Sequence, residues 1–390
     1  MNPSTDLGMA TTGPWTPRSA PARMLSLPAY VPTDLTSHLS SVDDLLVDVL
    51  DDLSRVWATE LDDSGSLDVL GDRDLPVLMR ELLQGGGKRI RPAMTYLGWL
   101  STSRDESGRS HVVTAGAALE LLHVFALIHD DVMDESASRR GRPSVHAQAS
   151  RLHVDSFAGG DPARFGESIA VLAGDLAHAE ADHLAAELPA EMRGIWRTLV
   201  IELVCGQRRD LTGSAAGRRD LGHARQVARM KSGSYTVERP LQLGAAAAHA
   251  SGAARTRLAR YGREVGEAFA LRDDILGVWG DPERTGKPAG DDLLSGKPTV
   301  ILSLATERLT GSSRQLLERT GTFGLGRGLG PDDVAILLDE LEGAGVVDSV
   351  EAMIAGHLDV ALDALDDPQF DADGVAGLTQ LAHQIAWRDR

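Results

Sequence analysis

ELLHVFALIHDDVMDESASRRGRPSVH, residues 120–146, changes character twice in a short span. It opens as apolar helix, turns acidic and ends basic. From Ala115 to Ile128 nearly every side chain is apolar, broken by Gly116, Glu120 and His123, and a helix apolar on all sides is one buried all round. It then runs into Asp130, Asp131 and Asp134. Residues i and i+4 lie about 40° apart on a helical wheel, so Asp130 and Asp134 point the same way. Carboxylates this close repel one another unless something positive lies between them. Their oxygens suit a hard cation such as Mg²⁺, which keeps several waters and is shared with substrate phosphates. Arg139 and Arg140 follow. Guanidinium forks match phosphate oxygens, so metal and arginine could hold one anion between them.

An Asp-Asp pair alone means little in this chain, because such pairs start at 43, 51, 62, 130, 273, 291, 332 and 366. Only the pair at 130 has a third aspartate four residues after its first member, and only those at 130 and 273 end long apolar helical stretches. The others read as solvated faces or turns.

The 390 residues are 42% apolar, ample for a large core. A net charge of −18 argues against nucleic acid and against a polybasic membrane anchor, and an anionic substrate would need metal. The single cysteine, Cys205, excludes internal disulfides and fits a reducing cytoplasm. Residues 1–38 carry six of the 17 prolines and no lysine, and read as a disordered tail ahead of a helical domain over 39–390. No run is read as long enough to span a bilayer.

Helical periodicity dominates and alternating strand patterns are missing, so the fold is expected to be all-α. Helices are predicted near 41–62, 73–84, 89–102, 110–135, 164–188, 190–212, 219–232, 234–249, 252–279, 297–309, 331–343, 346–365 and 373–388. In the loop Gly85-Gly86-Gly87-Lys88-Arg89-Ile90-Arg91-Pro92, glycines let backbone amides approach an anion, with Lys88 and Arg91 at the opening of a helix. His123 lies about 20° from Asp130 on the wheel and shares its face. Gly166, Ala170, Gly174, Ala177 and Ala181 form a small-residue stripe for close helix packing. Residues 206–211 (GQRRDL) and 231–236 (KSGSYT) are polar insertions in helical pattern. The stretch 262–299 repeats the opening theme, with Asp273 and Asp274 ending an apolar helix before a Gly-rich loop bearing Lys287 and Lys297. Two such helices facing one another would make a metal-lined, lysine-rimmed cleft with an apolar floor. The loop with Gly280, Pro282, Gly286, Pro288 and Gly290 would close over it. Beyond about 310 the sequence reads as helices with acidic surfaces and no chemistry.

Taken in order, GGGKRIRP, DDVMD at 130–134, the polar insertions and DDILG at 273–277 make the chain resemble the trans-type isoprenyl diphosphate synthases, or polyprenyl synthetases, over roughly 45–385. The resemblance implies a single large helical bundle around a central active-site cavity, a homodimer, and Mg²⁺ as cofactor, three ions per site. It implies that isopentenyl diphosphate condenses with an allylic diphosphate. Asp130, Asp134 and Asp273 would hold the metal. Arg139, Lys231 and Lys287 would hold the allylic diphosphate, with Asp131 in the same catalytic set. Lys88, Arg91, His123 and Arg140 would bind isopentenyl diphosphate, while Gln207, Asp210, Ser232, Tyr235 and Lys297 support the site. Phe125 and Ala126, five and four residues before the first motif, would form the floor that limits product length, and their size resembles geranylgeranyl diphosphate synthases. Farnesyl and C25 products are the alternatives. Two departures stand out: Ala270 where the family has Gln, and Gly277 where many members have Asp. A class I terpene cyclase would need a different second motif and would leave Lys88, Arg91, His123 and Arg140 idle. A non-catalytic subunit of a heteromeric synthase should have lost these residues, and Ala270 is the feature that favours it.

Overall fold

The computed structural model describes residues 33–61, 69–103, 105–139, 141–280, 290–321 and 329–388. The fold is all-α as expected, apart from a two-residue hairpin, Ser138–Arg139 (β1) with Arg142–Pro143 (β2). The helices are α1 (Thr33–Leu61), α2 (Leu75–Gln84), α3 (Ile90–Leu100), α4 (Arg109–Met133), α5 (Val145–Asp155), α6 (Pro162–Ala186), α7 (Ala190–Ala215) and α8 (Leu221–Val227). A π-helix, Ala228–Glu238, then leads into α9 (Arg239–Ala247) and α10 (Gly252–Trp279). After α10 come α11 (Asp291–Ser295), α12 (Val300–Arg308), α13 (Gly311–Glu318), α14 (Pro331–Gly343), α15 (Val346–Leu365) and α16 (Ala372–Ala386). The first helix starts at Thr33 rather than near 41, so residues 33–38 are helical and not part of a tail; residues 1–32 lie outside the described residues.

α4 is the axis. Ala115, Ala117, Ala118, Leu119, Leu121, Leu122, Val124 and Ile128 are buried on all its sides, against α1, α3, α6 and α9. Each buried Leu or Ile contributes about 1.5–3 kcal/mol through the water its surface sheds. α4 with the turn before it has the length and hydropathy of a membrane span, which corrects the expectation that no run is long enough. Its apolar sides are accounted for by neighbouring helices. The small-residue stripe lies buried along α6. There Gly174 faces the His129 ring of α4, which a Cβ would meet at 2.2 Å.

α10 crosses the molecule beside the π-helix, α15 and α16. Fully buried Arg272 ties it to the C-terminal segment, donating to Ala386 O at 2.7 Å and lying 5.2 Å from the Trp387 ring centroid. A buried guanidinium needs such partners, and these fix residues 386–388 against α10. Helix ends are capped where the sequence allows. Asp74, Asp161, Asp220, Ser251, Thr299 and Asp371 each accept a backbone N–H of the helix that follows.

Candidate active site

α4 ends at Met133 with Asp134 as its C-cap. A helix C-terminus is itself partly negative, so carboxylates there need cations. Each has one. Lys231 Nζ lies 2.8 Å from Asp130 Oδ1 and 2.7 Å from Asp210 Oδ2. Arg139, on β1, donates to both oxygens of buried Asp131 at 2.8 and 2.6 Å, and lies 3.7 Å from Asp130 Oδ2. Lys297 Nζ donates to Asp134 Oδ2 at 2.6 Å. Gln207 donates to Asp130 Oδ1 at 3.2 Å. Burial alone would raise the Asp130 carboxyl, but the Lys231 ammonium, with Lys297 and Arg139 behind it, holds it well below the usual carboxylate range. Burial likewise disfavours the Lys231 ammonium, yet Asp130 and Asp210 keep it charged and push its pKa above that of ordinary lysine; Asp292 and Asp134 do the same for Lys297.

Lys231 reaches Asp130 through a backbone feature the sequence did not announce. Two α-helices meeting near Gly233 were expected, and instead a π-helix runs through Ala228–Glu238. π-helical turns are rare and concentrate at functional sites, because the wider winding re-aims side chains. Gly206 of α7 lets this segment lie close, since a Cβ there would meet Lys231 N at 2.5 Å. Half-buried Ser232 follows Lys231 on the same turn.

On the opposite wall, the paired aspartates of α10 behave differently. Asp273 is 48% exposed, and Arg388 donates to it. The same guanidinium donates to Phe269 O at 3.0 Å and stacks 4.2 Å from the Phe269 ring centroid. Asp274 is turned inward and accepts from Val300 N at 3.2 Å. Its burial, then the nearby Asp292 charge, push its carboxyl well above the usual range. Ala270 is buried and offers no polar group.

A third cluster lies behind these. Buried Arg91 sits 4.2 Å from the Tyr235 ring centroid and donates to Thr236 Oγ1 at 3.0 Å. Its Nε is buried without a hydrogen-bond partner. Tyr235 Oη is 3.3 Å from His123 Nδ1. Lys88 is exposed on the glycine loop before α3. Its neighbour Arg89 is instead a structural group, in the left-handed region (φ 49°), paired with Asp43 at 2.9 Å and with buried Glu120 at 2.7 Å. Phe125 is half-buried, stacked on His178 of α6 at 4.7 Å and edge-on to His129 at 4.7 Å; Ala126 beside it is half-buried. Arg140, Lys287 and the loop 281–289 lie outside the described residues.

Two residues correct the reading of the sequence. Arg388, beyond 310, reaches the second aspartate motif by pairing with Asp273, and Asp292, from a pair read as a solvated face or turn, lies beside Lys297 Nζ at 3.9 Å. Arg388 has no local signal; Asp292 could have been found from its place five residues before Lys297.

Asp130, Asp134 and Asp273 are hard oxygen donors with cations beside them, a set that fits Mg²⁺ shared with a polyanion. Among the described residues no group of three or more His, Cys, Asp or Glu is gathered as a ready metal cage. Mg²⁺ commonly takes only one or two carboxylates and completes its shell with water and phosphate oxygens. An anion between the walls would meet Lys231, Lys297 and Arg139 at once.

The polyprenyl synthetase family profile matches residues 73–322. The chain is 29% identical over 320 residues to a geranylfarnesyl diphosphate synthase of Aeropyrum pernix, covering 79% of this chain and 92% of that one. It is 30% identical over 316 residues to a (2E,6E)-farnesyl diphosphate synthase of Mycobacterium bovis, covering 77% of this chain and 80% of that one. A crystal structure of a geranylgeranyl pyrophosphate synthase from Corynebacterium glutamicum, complexed with isoprenyl diphosphate and magnesium, is similar with a TM-score of 0.80 at 34% identity, covering 91% of this chain and 99% of that one.

Proposed function

The chain belongs to the polyprenyl synthetase family, and on that premise we propose that it makes geranylgeranyl diphosphate with Mg²⁺ as cofactor. The activity itself is that of a trans-prenyl diphosphate synthase, a transferase that lengthens an allylic diphosphate with isopentenyl diphosphate. The observation that carries the site assignment is the pairing of Lys231 with Asp130 and of Lys297 with Asp134. These ammonium groups neutralise the carboxylates, and would turn to the diphosphate when it binds.

In this reading Asp130, Asp134 and Asp273 hold three Mg²⁺ ions, which when bound neutralise the negative charge that builds on the departing diphosphate. Lys231, Lys297 and Arg139 grip the same diphosphate and stabilise that charge from fixed positions, without reorganisation during the reaction, and Lys287 is assigned to the same diphosphate by resemblance to the family. Asp131 keeps the Arg139 fork aimed, since both its oxygens are engaged. Arg91, with Lys88, Arg140 and the Tyr235–His123 pair, binds isopentenyl diphosphate and presents its double bond to the allylic carbon. That bond attacks as the C–O bond to diphosphate breaks, and a proton then leaves to the released diphosphate. The apolar length of α4 shields the cation from water, and Phe125, backed by His178, ends the chain pocket.

Product length rests on Phe125 and Ala126, since the relatives are named for products from farnesyl, geranylgeranyl and geranylfarnesyl up to heptaprenyl and nonaprenyl diphosphate. Farnesyl and C25 diphosphates are therefore the second reading. The same proposal includes a homodimer in the cytoplasm with no membrane anchor and no nucleic-acid partner. Ile201, Val204 and Leu211 leave an exposed apolar stripe on α7, which a second copy would cover. Incubating the protein with isopentenyl diphosphate, Mg²⁺ and each of the C5, C10 and C15 allylic diphosphates tests the product. A C20 alcohol after dephosphorylation supports the assignment, and C15 or C25 as the end product would replace it.

A further inference from the structure

A lysine aims its ammonium only as well as its backbone is held, because the four-carbon stem is flexible. Lys297 stands on the short connection between α11 and α12, directly after Gly296 in the left-handed region (φ 65°). On either side of it the chain is tied to α10, Gly290 N donating to Val278 O at 3.0 Å and Val300 N to Asp274 Oδ2 at 3.2 Å. The apex is held from elsewhere. Arg219, between α7 and α8, donates through one terminal nitrogen to Gly296 O at 2.8 Å and through the other to Thr320 Oγ1 at 3.1 Å. Gly296 lies back to back with Gly321, where a Cβ on residue 296 would meet Gly321 Cα at 2.7 Å, and Gly321 N donates to Leu294 O at 3.2 Å. Gly296 O and Lys297 N belong to one planar peptide unit, so a donor that fixes the carbonyl also fixes the direction in which the chain enters Lys297.

Arg219 is a costly group for a plain tie. It is half-buried, among the described residues no carboxylate pairs with it, and burial pushes its pKa below the ordinary arginine range. Its remaining contact is with Arg218 O at 3.3 Å. At the far end of the line, Lys297 Nζ lies 2.6 Å from Asp134 Oδ2 and 3.9 Å from Asp292 Oδ1. We propose that Arg219 is a positioning residue: it holds the Gly296 carbonyl and, through that peptide, aims the Lys297 ammonium at the diphosphate. Its bond to Thr320 also makes it a structural tie between this turn and the end of α13, and the experiment separates the two roles. The inference rests on the reading of Lys297 as a diphosphate-holding group.

The test is steady-state elongation by the full chain with Mg²⁺, isopentenyl diphosphate and the allylic diphosphate it accepts best, with urea unfolding of every variant to count only folded protein. Lys297→Met should lower kcat/KM for the allylic primer by about 10²-fold. Arg219→Met should lower it by about tenfold and leave KM for isopentenyl diphosphate unchanged, and Arg219→Lys, which keeps a donor for Gly296 O, should restore most of the loss. In the double variant Arg219→Met/Lys297→Met the second loss should vanish, since Arg219 then has no ammonium to aim. A tie that matters only to the fold would leave kcat/KM of folded Arg219→Met unchanged, or would make the two losses multiply in the double variant, and either result overturns the proposal. Arg219→Gln, which keeps a neutral donor, gives the same comparison with a smaller loss if Arg219→Met does not fold. If Lys297→Met itself leaves kcat/KM unchanged, the diphosphate reading of Lys297 fails and takes Arg219 with it.

Discussion

The two walls of the cleft carry related paired-aspartate motifs in different electrostatic surroundings. At the end of α4, three aspartates are each met by a cation from another element: Arg139 from the neighbouring β1, and, from far along the chain, Lys231 from the π-helix and Lys297 from the loop before α12. On α10, Asp273 is half exposed and paired with the C-terminal Arg388, Asp274 is buried against Val300 N, and residue 277 has no side chain at all. A motif letter therefore does not fix a role. Which aspartates stay ionised and open to a metal is decided by what the rest of the fold brings beside them.

The contrast is broken most forcefully at Asp130 and Lys231. Asp130→Asn removes a metal donor and the partner of Lys231, and should lower kcat by about 10²–10³-fold or more, read in a chain-elongation assay. Lys231→Met should cost about 10²-fold in kcat. It also leaves Asp210 and Asp130 without their ammonium, so the denaturant midpoint should fall as well, by about 3 kcal/mol of stability. Retained activity in Asp130→Asn would mean that the α4 wall is not the metal-holding one, and in Lys231→Met that this ammonium does not hold the diphosphate.

Acid stability sharpens the comparison from outside the cleft. His38 of α1 is 1% exposed and stacked on Tyr96, and its burial, then the charge of Arg109, push its pKa down to about 4. It is neutral in the fold, and the unfolded chain takes up the proton first. Its contribution is therefore complete above pH 6.5 and is lost as the pH falls toward 4, about 3 kcal/mol in all. Urea unfolding at pH 7 and pH 4.5 should differ, and His38→Gln should flatten the difference. Asp130 stays ionised across that range, so activity lost on mild acidification should track unfolding and return on neutralisation. The smallest effect is expected at Asp274. Asn keeps the acceptor for Val300 N and carries no charge into a buried place, so Asp274→Asn should leave kcat almost unchanged, in contrast with Asp130→Asn.

Much of the architecture was legible because local signals agreed. α10, α14 and α15 have the bounds their periodicity and flanking residues announce, and α4 is largely buried, as its apolar run requires. α5 was missed because VHAQASRLHVD alternates polar and apolar residues with too narrow a stripe. The π-helix was missed because Lys231-Ser232-Gly233 looks like a break, and only packing against Gly206 and α10 keeps it wound. Within the site, residues on one helix were legible from spacing, as with Asp130 and Asp134. Arg388 was not, since its partner lies 115 residues away.

The most direct measurement is a crystal structure of the protein with Mg²⁺ and pyrophosphate. The account predicts metal on Asp130, Asp134 and Asp273, with Lys231 and Lys297 turned from their carboxylates, now 2.8 and 2.6 Å away, onto phosphate oxygens. Pyrophosphate bound elsewhere, with both ion pairs intact and no metal on α4, would contradict it.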